Sequence, residues 1–201
     1  MEKITTLFWD LGGVALANGW DRDERVKVLN NFGITSKSDL DEFGDRHREV
    51  NAMFEMGKCS LDEYLNMTLF GFGQNFTHEQ FRQKMFEQSH PLPGFEVLKA
   101  VASSGNYFLA ALNNESRELN DYRIRTFELT KYFKVFCSSC YLGLMKPNPE
   151  IYLAALNITQ KKPSECVFID DRAQNAESAR QCGINAIHYR EPNQLKEELH
   201  K

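Results

Sequence analysis

Short apolar runs alternate with helical patterns along this chain, and that alternation restricts the fold more than any other feature. The runs fall at residues 4–9, 107–112, 135–139, 166–169 and 184–188. Each is almost wholly apolar, as a strand buried on both faces must be. Strands separated by helices are the pattern of βα units around a parallel sheet, so the expected fold class is α/β with a Rossmann-like sheet.

The first interval breaks the rhythm. A simple crossover between parallel strands needs about a dozen residues, yet about a hundred separate Asp10 from Tyr107. Helical patterns fill the gap, at residues 21–31 and 37–51. Two further helices are announced by capping boxes, Ser60-Leu-Asp-Glu63 and Thr77-His-Glu-Gln80. The first of these places Leu61, Tyr64, Leu65 and Thr68 on one face. His90-Pro-Leu-Pro-Gly94 marks the return, followed by a helix over 95–104. The expected organisation is an α/β core from residues 1–15 and 89–201, interrupted by a helical cap over 16–88. An insertion after the first strand hangs over the carboxyl ends of the sheet, where open α/β folds bind ligands. A lid there excludes water and selects what enters.

Composition narrows the function classes. With 201 residues and 42% hydrophobic content, the chain supports one α/β core and a modest insertion. A formal net charge of -4 gives no basic surface for nucleic acid. No run approaches the roughly 20 apolar residues of a membrane span, and the apolar start ends abruptly at Asp10, unlike a signal peptide. A cytoplasmic protein, monomeric or weakly dimeric, is expected. The five cysteines are odd in number and irregularly spaced, so reduced thiols are expected. Cys137-Ser-Ser-Cys140 lies in a strand-like stretch and reads as buried small hydrophobes, not as a redox or zinc pair.

Four places carry candidate chemistry. Asp10 follows the first strand and precedes Gly12-Gly13, where the backbone can turn tightly; alone, this is also an ordinary turn. Asn113-Asn114 follows the second strand, where amides can bind an anion or cap the helix beginning near Ser116. Lys146 precedes Pro147 and a helix near Pro149; a lone lysine is usually solvated. Asp170-Asp171, with Asn175 beyond, closes a buried strand. Adjacent carboxylates there repel unless a cation compensates, and Mg2+ is a hard, oxygen-seeking candidate. The bland alternative is that Asp171 caps the next helix. All four places lie at or beyond strand carboxyl ends and should converge. A nucleophilic carboxylate, an anion binder, a cation and a paired carboxylate together suit phosphoryl transfer through an acyl phosphate.

On these residues the chain resembles the haloacid dehalogenase superfamily. Phe8-Trp-Asp10-Leu-Gly-Gly-Val14 is similar to its nucleophile motif, Asn113 stands at the Ser/Thr of its second motif, Lys146-Pro147 matches its third, and Asp170-Asp171 with Asn175 its acidic fourth. The insertion resembles the four-helix cap of that family. Phe54-Glu-Met-Gly57-Lys-Cys-Ser60-Leu-Asp-Glu63 resembles small bacterial sugar-phosphate phosphatases of the α-D-glucose-1-phosphate type. The resemblance implies a Mg2+-dependent phosphatase acting on a small phosphorylated metabolite. Asp10 would attack phosphorus. Asp10, the Gly12 carbonyl and one or both of Asp170 and Asp171 would hold Mg2+. Lys146 would neutralise the phosphate, and Asn113, with Asn114 beside it, would hydrogen-bond it.

Two departures matter. Most phosphatases of the superfamily have Asp as general acid and base where this chain has Gly12, a group worth about 10²–10⁴-fold in rate. The glucose-1-phosphate-type members also carry glycine there. Such a site should favour leaving oxygens that need little protonation, as in glycosyl-1-phosphates, and Gly12→Asp should extend the range if the side chain fits. Asn113 is bulkier than the usual Ser or Thr. These departures keep open a weakly active or inactive phospholigand-binding protein. A metal-independent haloacid dehalogenase is a second alternative and a purely structural module a third. His47 is expected on a solvated helix face and His90 near the hinge. Phe54, Tyr64, Phe70 and Phe72 are expected in the core of the cap.

Overall fold

A computed structural model describes residues 3–199. Residues 1–2 and 200–201, the outermost of the expected core segments, lie outside the described residues. Five strands form one sheet: β1 (Thr6–Trp9), β2 (Phe108–Ala111), β3 (Val135–Phe136), β4 (Cys166–Asp170) and β5 (Asn185–His188). Every pairing is parallel and the order is β3-β2-β1-β4-β5. β1 is central, with Trp9 in register with Ala111 on one side and Ile169 on the other. The strand order reverses about β1, and the crevice at such a switch point is where doubly wound sheets bind ligands.

Strand side chains alternate between the two faces. Leu7, Trp9, Leu109, Ala111, Val167 and Ile169 enter one core, and Phe8, Ala110, Cys166 and Phe168 the other. Fully burying a side chain of this size contributes roughly 1.5–3 kcal/mol, so both faces must be covered. Helices α5 (Pro93–Ser104), α6 (Arg117–Thr126), α7 (Ser139–Leu142), α8 (Pro149–Thr159), α9 (Ala173–Gln181) and α10 (Pro192–Leu199) alternate with β2–β5.

Between β1 and β2 the chain forms α1 (Arg22–Asn31), α2 (Lys37–Glu55), α3 (Leu61–Thr68) and α4 (His78–Phe86). Both capping boxes form at the starts of α3 and α4. These helices share a core of their own, including Trp20, Val28, Phe43, Phe54, Tyr64, Phe81 and Met85, joined by Leu119 of α6. The outgoing and returning segments pair as a small ladder: Ala17 N–H donates to the His90 carbonyl and Leu92 N–H to that of Ala15, each at 2.9 Å.

Several expectations need correction. β3 stops at Phe136, because Ser139 already opens α7, so Cys137 and Cys140 straddle a strand end and a helix. Both thiols are buried, and burial pushes each up to about 12, which leaves them inert at neutral pH. α2 runs on to Glu55, beyond the expected end at residue 51. His47 is buried on its inner face, not solvated. Phe54 and Tyr64 stack in the helical core with centroids 4.1 Å apart, whereas Phe72 is 59% exposed, beneath the Arg46 guanidinium. Among the described residues no helix is long and apolar enough to cross a membrane.

Candidate active site

The ends of β1 and β4 lie side by side, and the sheet register alone brings Asp10 near Asp170. Asp10 N–H donates to the Ile169 carbonyl at 2.9 Å. Ligand oxygens of Asp10, Asp170 and Asp171 lie within 4.8 Å of one another. Lys146, 3% exposed, places Nζ 3.0 Å from Asp10 Oδ1 and 2.6 Å from Asp170 Oδ2. Asp170 is fully buried and also accepts from Arg172 N–H and from the Asn175 amide. Asp171 does not cap α9; that position belongs to Arg172. Gly13, at φ +71°, lies against the Asp171 carboxylate where a Cβ would collide with it, so only glycine fits.

The charges do not balance. Burial raises the Asp10 carboxyl well above its ordinary range; Lys146 offsets part of this, and Asp170 and Asp171 raise it again. Burial and Asp170 also raise Asp171. Burial opposes the Lys146 ammonium, but Asp10 and Asp170 overcome it and hold the lysine above its usual range. Three carboxylates face one buried ammonium, with the Arg172 guanidinium more exposed beside Asp171, so negative charge is in excess and a bound cation would offset it. Three convergent hard oxygen donors suit Mg2+. Gly12 lines the same cavity.

The second motif divides. The Asn113 amide donates to Asn120 Oδ1 at 3.0 Å and its oxygen accepts from Ser138 Oγ at 2.8 Å, with the residue 1% exposed. Contrary to expectation, both ends of that side chain are committed to a buried network. Asn114 is the member that lines the site, while clasping the backbone of Lys146.

Two cavities meet here. The inner one, of about 70 Å³, includes Asp10, Lys146 and Asp171 in its walls. The outer one, of about 180 Å³, lies toward the helices that follow β1 and includes Arg25, His47, Asn51, Glu115 and Arg123. Gly12, Asn18, Glu55, Asn114 and Arg172 line both. Glu115 and Arg123 form a buried ion pair at 2.8 Å, and Arg123 also donates to Ser89 and to the Ala17 carbonyl. His47 Nδ1 shares a 2.8 Å hydrogen bond with the Tyr64 hydroxyl, which also accepts from Trp20. Burial, then Arg25 and Arg48, lower His47 to about 4, so the ring is neutral at pH 7. His90 is exposed and lines neither cavity.

The residues from the inserted helices were not singled out by strand-end reasoning. One local signal did exist: His47, Asn51 and Glu55 recur at the i, i+4, i+8 spacing of one helix face, and all three line the outer cavity.

Comparison with known proteins agrees with this geometry. Residues 4–183 match the model for haloacid dehalogenase-like hydrolases. The chain is 31% identical over 132 residues to bifunctional epoxide hydrolase 2 of Rattus norvegicus, covering 64% of this chain but 24% of that protein, about a quarter of its length. It is 27% identical over 198 residues to flavin mononucleotide hydrolase 1 of Arabidopsis thaliana, covering 98% of this chain and 77% of the relative. Identity to D-ribitol-5-phosphate phosphatase of Bacteroides thetaiotaomicron is 24% over 206 residues, covering 92% and 91%. Among solved structures, a HAD family enzyme of Bacteroides thetaiotaomicron in complex with magnesium and inorganic phosphate superposes with a TM-score of 0.79 at 21% identity, covering 93% and 94%.

Proposed function

Because the chain belongs to the haloacid dehalogenase-like hydrolases, we propose that it is a Mg2+-dependent phosphatase acting on a small sugar or polyol phosphate through a phosphoryl-aspartate at Asp10. The observation that carries this reading is the cluster of Asp10, Asp170 and Asp171 around Lys146. The cofactor is Mg2+, which Asp10, one or both of Asp170 and Asp171, and the Gly12 carbonyl would hold. When bound, it supplies positive charge to the phosphate oxygens.

Lys146 and Leu11 N–H both contact Asp10 Oδ1, which orients the carboxylate and leaves Oδ2 for attack. Asp10 forms a bond to phosphorus as the ester P–O bond breaks and its electron pair passes to the leaving oxygen. Water then attacks phosphorus, releasing phosphate and restoring the carboxylate. Lys146, being cationic, stabilises charge on the transferring oxygens.

The helices between β1 and β2 act as a cap whose outer cavity receives the leaving group. At about 180 Å³ the cavity falls below the roughly 300–1,000 Å³ of drug-sized pockets. Its walls carry guanidinium, amide and carboxylate groups, with Trp20 alongside. Such a lining favours hydroxyl groups over an extended aromatic ring system. Relatives named as a D-ribitol-5-phosphate phosphatase and, from Thermotoga maritima, a phosphorylated carbohydrates phosphatase support this class, which includes glycosyl-1-phosphates.

The test is phosphate release from a panel of sugar phosphates and nucleotides, with Mg2+ present and then chelated. Release from sugar phosphates is expected, and it should disappear with chelator and in Asp10→Asn. Wild-type release no greater than that of Asp10→Asn would leave the phospholigand-binding alternative standing. Halide release without metal would favour the dehalogenase.

A further inference from the structure

The site has no acid where the superfamily usually places one, since Gly12 has no side chain. If phosphate sits in the inner cavity against Asp10 and the leaving group in the outer one, the bridging oxygen lies at their junction. Five residues line both cavities: Gly12, Asn18, Glu55, Asn114 and Arg172. Two are amides and cannot supply a proton. Arg172 brings a guanidinium fork, which is suited to binding an anion and not to acting as a carboxyl-type acid. His47 lines the outer cavity alone, is bonded to Tyr64 and is neutral at pH 7. Of the five residues shared by both cavities, Glu55 is the one carboxyl group.

We propose that Glu55, delivered by the C-terminal end of α2, is the proton donor for the leaving oxygen, replacing the acid missing at Gly12. This inference rests on the phosphatase reading above. As Asp10 attacks and the P–O bond breaks, the Glu55 carboxyl gives its proton to the departing alkoxide, yielding an alcohol and a Glu55 carboxylate. That carboxylate then takes a proton from the water that attacks the phosphoryl-aspartate, and the cycle closes.

The surroundings of Glu55 suit the role. Its carbonyl accepts from Ser139 Oγ at 2.6 Å, anchoring the end of α2 to the core domain's α7. Asn51 Nδ2 donates to Oε1 at 3.1 Å, and Oε2 carries no hydrogen bond to another described residue. Burial and the nearby Glu115 raise the carboxyl to about 6, against the opposing effects of Asn51, Arg172 and Arg25. An acid poised near neutral pH is protonated often enough to donate and weak enough to recover its proton. On this reading the expected restriction to good leaving groups does not apply to the wild type.

The experiment measures kcat/KM, which reports the step in which the leaving group departs. Wild type, Glu55→Gln and Glu55→Asp are compared on p-nitrophenyl phosphate, whose aryl oxide departs without a proton, and on the best primary-alkyl sugar phosphate of the panel. Glu55→Gln should lose about 10²-fold or more on the alkyl ester, and at least about tenfold less than that on the aryl ester, because only the alkyl oxygen needs the proton. Glu55→Asp should recover part of the alkyl activity. A Tm and far-UV circular dichroism spectrum matching wild type report that the variant is folded. Equal losses on both esters, or none on either, would overturn the role of Glu55 while leaving the phosphatase reading intact. A wild type inactive on both esters with Mg2+ present would overturn both.

Discussion

Asn114 and Lys146 are joined by two hydrogen bonds: the Asn114 amide donates to the Lys146 carbonyl at 2.9 Å, and the Lys146 N–H donates to Asn114 Oδ1 at 2.8 Å. A side chain beyond β2 thereby fixes the backbone of a residue 32 positions later. The lysine stem starts from that fixed point, and its ammonium reaches both Asp10 and Asp170. The clasp joins the loop after β2 to the loop between α7 and α8.

Asn114→Ala removes both bonds. Leaving buried polar groups without partners costs about 1–3 kcal/mol, so urea unfolding should show a loss of that size. The turnover of p-nitrophenyl phosphate should fall by about 10-fold or more as Lys146 loses its fixed position. An unchanged kcat would mean that Asp10 and Asp170 hold the ammonium without help from the clasp.

Divalent-ion binding is testable without any substrate. At a hundredfold excess of Mg2+ over its Kd, a site present only in the folded chain adds about 2.7 kcal/mol of stability. The wild-type Tm should rise with Mg2+ and fall back with chelator. Asp171→Asn, which removes one of three clustered carboxylates, should reduce the rise sharply. An identical Mg2+ response in Asp171→Asn would remove that residue from the proposed ligand set.

Gly12→Asp meets an obstacle that the sequence does not reveal. A Cβ at Gly12 would lie 2.5 Å from Asn18 Oδ1. Gly12→Asp alone should therefore lower kcat/KM, since Asn18 must be displaced into the cavity. Gly12→Asp combined with Asn18→Ala should recover activity, because the space is vacated. If the single variant matches wild type, the amide moves aside without consequence.

His47 predicts an acid limb of stability. Its folded pKa of about 4 lies below its ordinary value of 6.5. The unfolded chain therefore binds the proton first as pH falls, and the folded state loses stability between those two values. Full expression of such a difference is on the order of 3 kcal/mol. In His47→Gln this part of the pH dependence should vanish, measured as unfolding free energy at pH 7 and pH 4.5. Parallel curves for the two proteins would rule out His47 as its source.

The sequence by itself determined the layered sheet and the starts of most helices, α7 and α10 excepted. Val167-Phe-Ile-Asp170 has to be a buried strand ending in a carboxylate, because a strand covered on both faces tolerates polarity only at its end. Ser60 and Thr77 open helices through bonds confined to four residues, so their capping boxes are legible locally. The convergence of Asp10, Lys146, Asp170 and Asp171 follows in outline from parallel strands ending on one edge. Tertiary structure alone decided that Asn114, not Asn113, lines the cavity, because adjacent side chains diverge and the course of the loop chooses between them. It also decided that Glu55 and His47, from a helix whose sequence reads as largely polar, line the outer cavity. Local pattern encodes period and caps, whereas which polar face of an inserted helix meets the sheet depends on packing against residues far along the chain.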